Sequence, residues 1–440
     1  MMEDNIYYMK FTVTPTKENQ EYNNMKEATA FLWIKIIDKE SALNIAFLHF
    51  KKYDFLIKES LVEPSIVNKE DFITKAKGLE MFEVAEKEGI AIYYVAVAKH
   101  KDVPSDEIRL NSSVDFNLSE HILEGKKFSN EGRCLHYKAD DRCDEIIKAH
   151  SIQNKGLLSK IARKGKVYSV SDSIGDMIKN NDSIILKEIG INKFSIFKGF
   201  CKKHDNELFE PIDNNLVVTT DIKQIFLYSY RILCKEIFIQ EVALKQWENV
   251  EAYKNLFRDS TEQKEVYNRM NYHKKIYDDV LKNKYYEDIR YISFNSNEAL
   301  SIVFSSVFSP DYDFNANYLD NENQDLLSFS SAPTKDGWSF IFSWHKSSDK
   351  SCLKFIESLI KRGERDDNLG DLLFRFLMKS CENTAFSPIF WESLELSEQN
   401  EISKVITNIL HPSIAIPRDY LQKDLSGISK WNFKTKNHNL

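Results

Sequence analysis

The chain has 440 residues, 42% of them hydrophobic, and a formal net charge of −7. That length exceeds one ordinary core and sets an expectation of roughly two to four domains, while the low Gly and Pro content argues against disorder. The acidic balance excludes a chain-wide polyanion binder, so any nucleic-acid contact must come from a local basic patch.

The Met1 end lacks the charged-then-apolar pattern of a signal sequence, and the longest uncharged apolar run, Ala299 to Pro310, is too short to span a bilayer. The expectation is therefore a cytoplasmic protein with no membrane partner. In that setting its six cysteines serve as thiols or metal ligands rather than as a disulfide framework.

Residues 6–14 and 29–37 read as strands, rich in aromatic and β-branched side chains. Asp38 then caps a helix through Lys52, with Ala42, Ile45, Ala46 and His49 at helical spacing. Phe55 to Val67 reads as a strand broken at Pro64, a helix follows from Asn68–Asp71 to about Lys87, and Gly89 ends it. Ile90 to Ala98 is the cleanest strand. This ββαβαβ order predicts a small ferredoxin-like sandwich over 1–105, suited to interaction, dimerisation or regulation, and so a place for a protein partner. A polar linker is expected over Asp102 to Asn130.

The middle of the chain, 115–215, holds three of the six cysteines and three of the ten histidines between Cys134 and Asp205. Zinc takes four ligands from Cys and His, commonly in pairs set by a turn. Cys201 and His204 form such a pair, and Gly199 is expected to let the backbone bend so that both can face one ion. Cys134, His136, Cys143 and His150 complete six candidates for four places. Two assignments follow. Either Cys134, Cys143, Cys201 and His204 hold a structural zinc and leave His150 free, or Cys143 and His150 join Cys201 and His204 while the Cys134/His136 pair is peripheral.

Between the halves, Gly156 to Lys166 reads as a short helix with Leu157, Leu158 and Ile161 inward. Lys155, Lys160, Arg163, Lys164 and Lys166 would then lie outward or at its end. From Arg142 to Lys166 there are seven basic and two acidic residues, a local surplus that could track a phosphate backbone.

After Pro211 the pattern changes. Residues 218–440 predict a mixed helical and antiparallel-sheet domain. It has helices from an Asp221 cap to Asn283, strands at 291–294, 301–304, 326–329 and 338–344, and amphipathic helices at 352–381 and 398–410. An irregular tail is expected after Pro417. Tyr230 and Arg231 read as a polar pair with Glu236. Cys234, Cys352 and Cys381 are isolated and read as small core residues. The fold class is thus α+β and multidomain; the oligomeric state is left open.

The segment Cys143–Asp–Glu–Ile–Ile–Lys–Ala149–His150–Ser–Ile–Gln153–Asn154, followed by Phe200–Cys201–Lys–Lys–His204–Asp205, resembles the layout of treble-clef, HNH-type nucleases over about 131–213. It is also similar to uncharacterised bacterial proteins associated with anti-phage defence. The resemblance implies that His150 is a general base activating water against a phosphodiester of DNA or RNA. It further implies that Asn154 orients His150, and that Asp205 or His204 holds a catalytic Mg²⁺ or Mn²⁺ beside the structural zinc. The alternative is a non-enzymatic binding or sensor protein in which zinc only staples the middle domain.

Overall fold

The computed structural model describes residues 5–72, 76–99, 127–140, 143, 145–170, 186–249, 261–319, 321, 324–365, 368–410 and 418–440. Most of the expected linker, 100–126, lies outside them. The chain divides into two compact units: 1–128 with 171–185 and 243–261, and 129–170 with 186–242 and 262–440. Both mix helices with antiparallel sheets, and among the described residues no helix is long and apolar enough to cross a membrane.

The first unit runs β1 (Asn5–Pro15), β2 (Met25–Ile36), α1 (Lys39–Lys52), β3 (Phe55–Val67), α2 (Ala76–Glu88) and β4 (Ile90–Ala98). Its sheet has the order β3-β1-β2-β4. The Asp38 carboxylate accepts from the Ser41 amide at 2.8 Å and so starts α1. Strand β3 runs through Pro64 because the register shifts opposite Met9, where an edge strand can spare the missing N–H.

Tyr7, Met9, Phe11 and Val13 share one core with Ala42, Ile45, Ala46 and Phe50 of α1. Ile6, Tyr8, Phe31 and Trp33 point the other way, onto Phe82 and Ala85 of α2. The two helices therefore cover opposite faces, whereas a ferredoxin-like sandwich puts both on one. The reason is visible in Ile6–Met9 of β1 and Ala30–Ile34 of β2, which are apolar at both parities and need cover on both sides.

The second unit contains a two-stranded antiparallel pair, β5 (Ile146–His150) with β8 (Ile196–Cys201). It also contains an eight-stranded antiparallel sheet, in spatial order β14 (Thr435–His438), β9 (Ile289–Ser296), β12 (Trp338–His345), β11 (Leu327–Pro333), β10 (Ile302–Phe308), β13 (Thr384–Phe386), β6 (Lys166–Val170) and β7 (Leu186–Gly190). Between β5 and β8 the chain makes a π-helical turn, Asn154–Leu158, and one α-turn, Ser159–Ile161. It then adds β6 (Lys166–Val170) and β7 (Leu186–Gly190) to the edge of the large sheet. Leu157, Leu158 and Ile161 are buried there with Val303 and Ala385.

From β8 the chain enters α3 (Lys202–Asp213), α4 (Ile222–Asn249) and α5 (Thr261–Asn283). The Asp221 carboxylate accepts from the amides of Lys223 and Gln224 at the start of α4. The sheet strands β9 (Ile289–Ser296), β10 (Ile302–Phe308), β11 (Leu327–Pro333) and β12 (Trp338–His345) follow. Helices α6 (Asp349–Arg365) and α7 (Leu369–Met378), β13 (Thr384–Phe386), α8 (Pro388–Ser393), α9 (Leu396–Leu410) and β14 (Thr435–His438) complete the unit. The tail expected to be irregular thus supplies an edge strand, its polar Thr–Lys–Asn–His stretch pairing with β9 through main-chain bonds.

Strand β11 is buried throughout and β12 all but its last residue, because both faces of the sheet are covered. On one face lie Phe304, Phe329, Phe340, Phe376 and Trp431, with ring centroids 4.5 Å apart for Phe304–Phe340 and 4.8 Å for Phe329–Phe376. Facing the other way, Ile341 and Ala332 join a core containing Ile225, Phe226 and Tyr230 of α4, Phe209 and Ile212 of α3, and Phe197 and Phe200 of β8. Cys134, Leu135 and Cys201 belong to that same core, so the Cys/His segment is anchored on α4 and through it on the sheet.

Candidate metal centre and adjoining cleft

Cys134 lies on a segment laddered to β8, with the amides of Arg133 and Leu135 donating to the carbonyls of Lys198 and Gly199. Gly132 makes that approach with φ +60, and a Cβ there would meet Lys198 at 2.6 Å. Cys143 closes a turn through its amide to Asp140. Cys201 ends β8 and is the N-cap of α3, its sulfur accepting from the His204 amide at 3.5 Å. His204 sits in the first turn of the helix. Gly199 serves differently from the expected bend: it has no left-handed φ, and a Cβ there would collide with the Phe197 ring at 2.4 Å and press on Leu135 at 3.2 Å.

These elements bring the four side chains together. The sulfurs of Cys134, Cys143 and Cys201 lie 3.4, 3.5 and 3.3 Å from His204 Nδ1. All four ligand atoms fall within 4.8 Å of one another. A tetrahedral zinc with bonds of about 2.3 Å to S and about 2.0–2.1 Å to N holds S and N roughly 3.6 Å apart, so the spacing and donor set fit such an ion. Burial pushes the Cys134 thiol up to about 11, which leaves it protonated at neutral pH unless a cation stabilises the thiolate. Among the described residues this is the one group of three or more His, Cys, Asp or Glu side chains so placed.

Of the two remaining candidates, His136 stacks on the His204 ring at 4.1 Å and accepts from the Lys138 amide through Nδ1. It buttresses the cluster from outside. His150 stands away from the cluster, at the end of β5. The arrangement is that of the first ligand set, not the one that spends His150.

His150 faces a cleft of about 270 Å³ lined also by Gln153, Asn154, Asp205, Asp213 and Arg231, with Lys148 and Lys155 at its edge. The Asn154 side-chain nitrogen lies 3.2 Å from His150 Nε2 and donates to Asn192 Oδ1 at 3.0 Å. An amide nitrogen only donates, so Nε2 carries the imidazole lone pair on this side. Burial lowers the His150 pKa below the usual 6.5, opposed by a hydrogen bond to the Ile191 backbone, so the ring stays in its neutral, basic form at physiological pH. Asp205 lies in the first turn of α3, directly after His204; burial raises its pKa, and the Arg231 guanidinium lowers it.

Arg231 is 3% exposed and grips Asp213 through two bonds of 2.7 and 2.6 Å, with its guanidinium 4.0 Å from the Phe209 ring centre. The expected Tyr230–Arg231–Glu236 group is therefore replaced. Tyr230 donates to Asp278 at 2.7 Å and Arg231 pairs with Asp213, because the two side chains leave α4 toward α5 and α3 respectively. Asp213 and Gln153 were missed by sequence reasoning; only the Arg231 charge on an otherwise apolar helix face signalled a buried acidic partner. Cys234, Cys352 and Cys381 are buried, as expected of core residues.

The basic residues expected to track a backbone do not form one free patch. Arg163 makes a bidentate pair with Glu392, and Lys166 pairs with Glu188 at 3.1 Å. Lys155 lines the cleft, while Lys160 and Lys164 are exposed on or just after the short turn. No protein-family model, curated protein or solved structure matches the chain.

Proposed function

We propose that the second unit carries a zinc-stapled, HNH-like site that hydrolyses phosphodiesters of DNA or RNA. One observation supports this above others: an antiparallel pair leads directly into a helix, with a Cys₃His cluster at the strand–helix junction and a histidine held clear of it, facing a cleft. That is the order of parts a treble-clef nuclease uses.

In this reading His150 Nε2 takes the proton of an attacking water as the water oxygen bonds to phosphorus, and the bond to the leaving sugar oxygen breaks with that oxygen taking a proton from solvent water. Asn154 holds Nε2 at rest and frees the lone pair by turning toward Asn192, while the bond to the Ile191 backbone keeps the ring oriented. Lys148 and Lys155 at the cleft edge attract the phosphate. Asp213 is engaged by Arg231, so Asp205 is the carboxylate that would hold a Mg²⁺ or Mn²⁺, which supplies charge to offset that building on the phosphate. The Cys₃His cluster keeps its structural role. From the sequence resemblance alone, we infer defence against phage as the setting.

The test is His150→Ala. Metal-dependent cleavage of plasmid DNA or RNA should fall by at least about a hundredfold, with zinc content and thermal unfolding unchanged. Loss of zinc in that variant would make His150 a ligand and overturn the assignment. A second reading, a zinc-stapled binding protein without catalysis, is favoured by the ion pairs that engage Arg163 and Lys166. Absence of cleavage by the wild type with either metal would select it. The first unit then offers exposed apolar residues at its two sheet edges, Val95 and Val97 on β4 and Leu56, Leu61 and Ile66 on β3, either of which suits a protein partner.

A further inference from the structure

Gln153 lies between His150 and Asn154 and lines the same cleft, yet it is 4% exposed and its Oε1 is sealed from solvent without a hydrogen-bond partner. Its neighbours explain the position but not the orphan oxygen. The Gln153 carbonyl accepts from the amides of Leu157 and Leu158, starting the π-turn, whereas its side chain makes no capping bond. The amide instead rests against Gly156, where a Cβ would lie 2.3 Å from Oε1. A glycine at that position is therefore what allows the amide to sit at the cleft wall.

A buried carbonyl oxygen with no partner is disfavoured, and the penalty is relieved when a donor arrives. The terminal torsion of glutamine is broad, so Oε1 can turn into the cleft without disturbing the buried stem. Resting on the phosphodiester reading above, we propose that Gln153 is a specificity residue. Its Oε1 accepts a hydrogen bond from a donor on the nucleoside beside the scissile phosphate. Two groups carry that chemistry, the ribose 2′-hydroxyl and an exocyclic base amine. The first makes the site select RNA over DNA; the second makes it select among bases. Sites built around such a contact reject the analogue lacking the donor, because the protein group is then left unpaired.

The experiment compares wild type with Gln153→Met, which keeps the length and removes the acceptor. Cleavage with Mn²⁺ is measured on an oligoribonucleotide, on copies with single 2′-deoxy positions, and on copies with purine for adenine or inosine for guanine. The wild type should lose about ten- to a hundredfold in kcat/KM when the recognised donor is removed. Gln153→Met should show that loss on the intact substrate and no further loss on the analogue, the non-additivity of a direct contact. Whether the deoxy or the base-modified copy responds identifies the donor. Equal losses for the variant on every substrate, or none on any, overturn the proposal. If the wild type cuts nothing, hydrolysis fails as a reading, and equilibrium binding of ribo- and deoxynucleoside 5′-monophosphates to the same two proteins still decides. Donor-dependent affinity that Gln153→Met abolishes supports the contact, and its absence in the wild type sinks it. Should the variant lose its zinc, the wild-type response alone decides: no donor dependence across the analogues refutes the role.

Discussion

Replacing Cys201 by Ser removes one donor from the Cys₃His cluster while keeping an oxygen that can still cap α3. The His204 amide now donates to the sulfur at 3.5 Å, and a serine hydroxyl accepts at a helix N-cap as well or better. The cost therefore falls on metal binding rather than on helix initiation. Structural zinc contributes about 10–16 kcal/mol in small domains, so one ligand of four corresponds to roughly 3–4 kcal/mol, or two to three powers of ten in affinity. The assay is zinc content by mass spectrometry, chelator competition at pH 7, and thermal unfolding with and without chelator. Cys201→Ser should be purified with well under one zinc per chain and should unfold at a temperature that chelator no longer lowers. Cys234→Ala is the control: this thiol lies in the same core, fully buried and outside the cluster, so its loss leaves a small cavity and zinc content intact. If Cys201→Ser retained one zinc with unchanged chelator competition, or if the wild type held no metal and gained no stability from zinc, the cluster would be a group of buried thiols.

Two further outcomes follow from buried charge. Asp213→Asn leaves the Arg231 guanidinium 3% exposed without its carboxylate; because the Asp213 side chain is itself 36% exposed, the low end for a broken buried pair applies, about 3 kcal/mol by chemical denaturation, and a change under about 1 kcal/mol would show that water replaces the carboxylate. In the first unit, His49 is buried with Nε2 2.7 Å from the Tyr94 hydroxyl, and burial lowers its pKa to about 3. Below pH 6.5 the unfolded chain takes up a proton that the fold refuses, so stability falls as pH drops, by about 2 kcal/mol at pH 5, until about pH 3. His49→Gln should remove that part of the pH dependence; an unchanged slope between pH 7 and 5 would mean the ring is not held neutral.

The local parts of this fold are written plainly in the sequence. The aromatic and β-branched runs at 6–14 and 90–98, the Asp38 and Asp221 caps, and the Cys201–His204 spacing are each decided by residues within a few positions, and the structure has them. What escaped depends on contacts distant in the chain. The insert after His150 reads as a short helix over 156–166, but the strand that follows it, Lys166–Val170, joins the sheet through Phe386 and Ala385, more than two hundred residues away. Buried Ser151, Ser195 and Ser305 form one hydrogen-bonded group with half-buried Asn383. Nothing in the local pattern of any of the four singles it out, since a small polar residue in a strand or turn reads as solvated until its neighbour is known. The opposite-face placement of α1 and α2 was legible in principle, from Ile6–Met9 and Ala30–Ile34 being apolar at both parities, but the ββαβαβ order suggested the more familiar sandwich.

The metal cluster and the cleft are not two independent features, because α3 belongs to both. Its first turn carries Cys201, His204 and Asp205 in succession, so the bonds that would hold an ion also fix the direction in which the Asp205 carboxylate leaves the helix. Its last residue, Asp213, is fixed separately by Arg231, and Phe209 between them is fully buried against Phe200 with ring centroids 5.1 Å apart. The C-terminal half of α3 is thus secured by packing and an ion pair, while its N-terminal turn has the Cys₃His cluster as its principal restraint. Chelation should consequently act first at Asp205, through fraying of that turn and of the Ile146–Cys201 end of the β5–β8 pair, with His150 at the far end of the pair and the sheet behind it responding later. A metal held at this cluster would set the direction of the Asp205 carboxylate without itself entering the cleft.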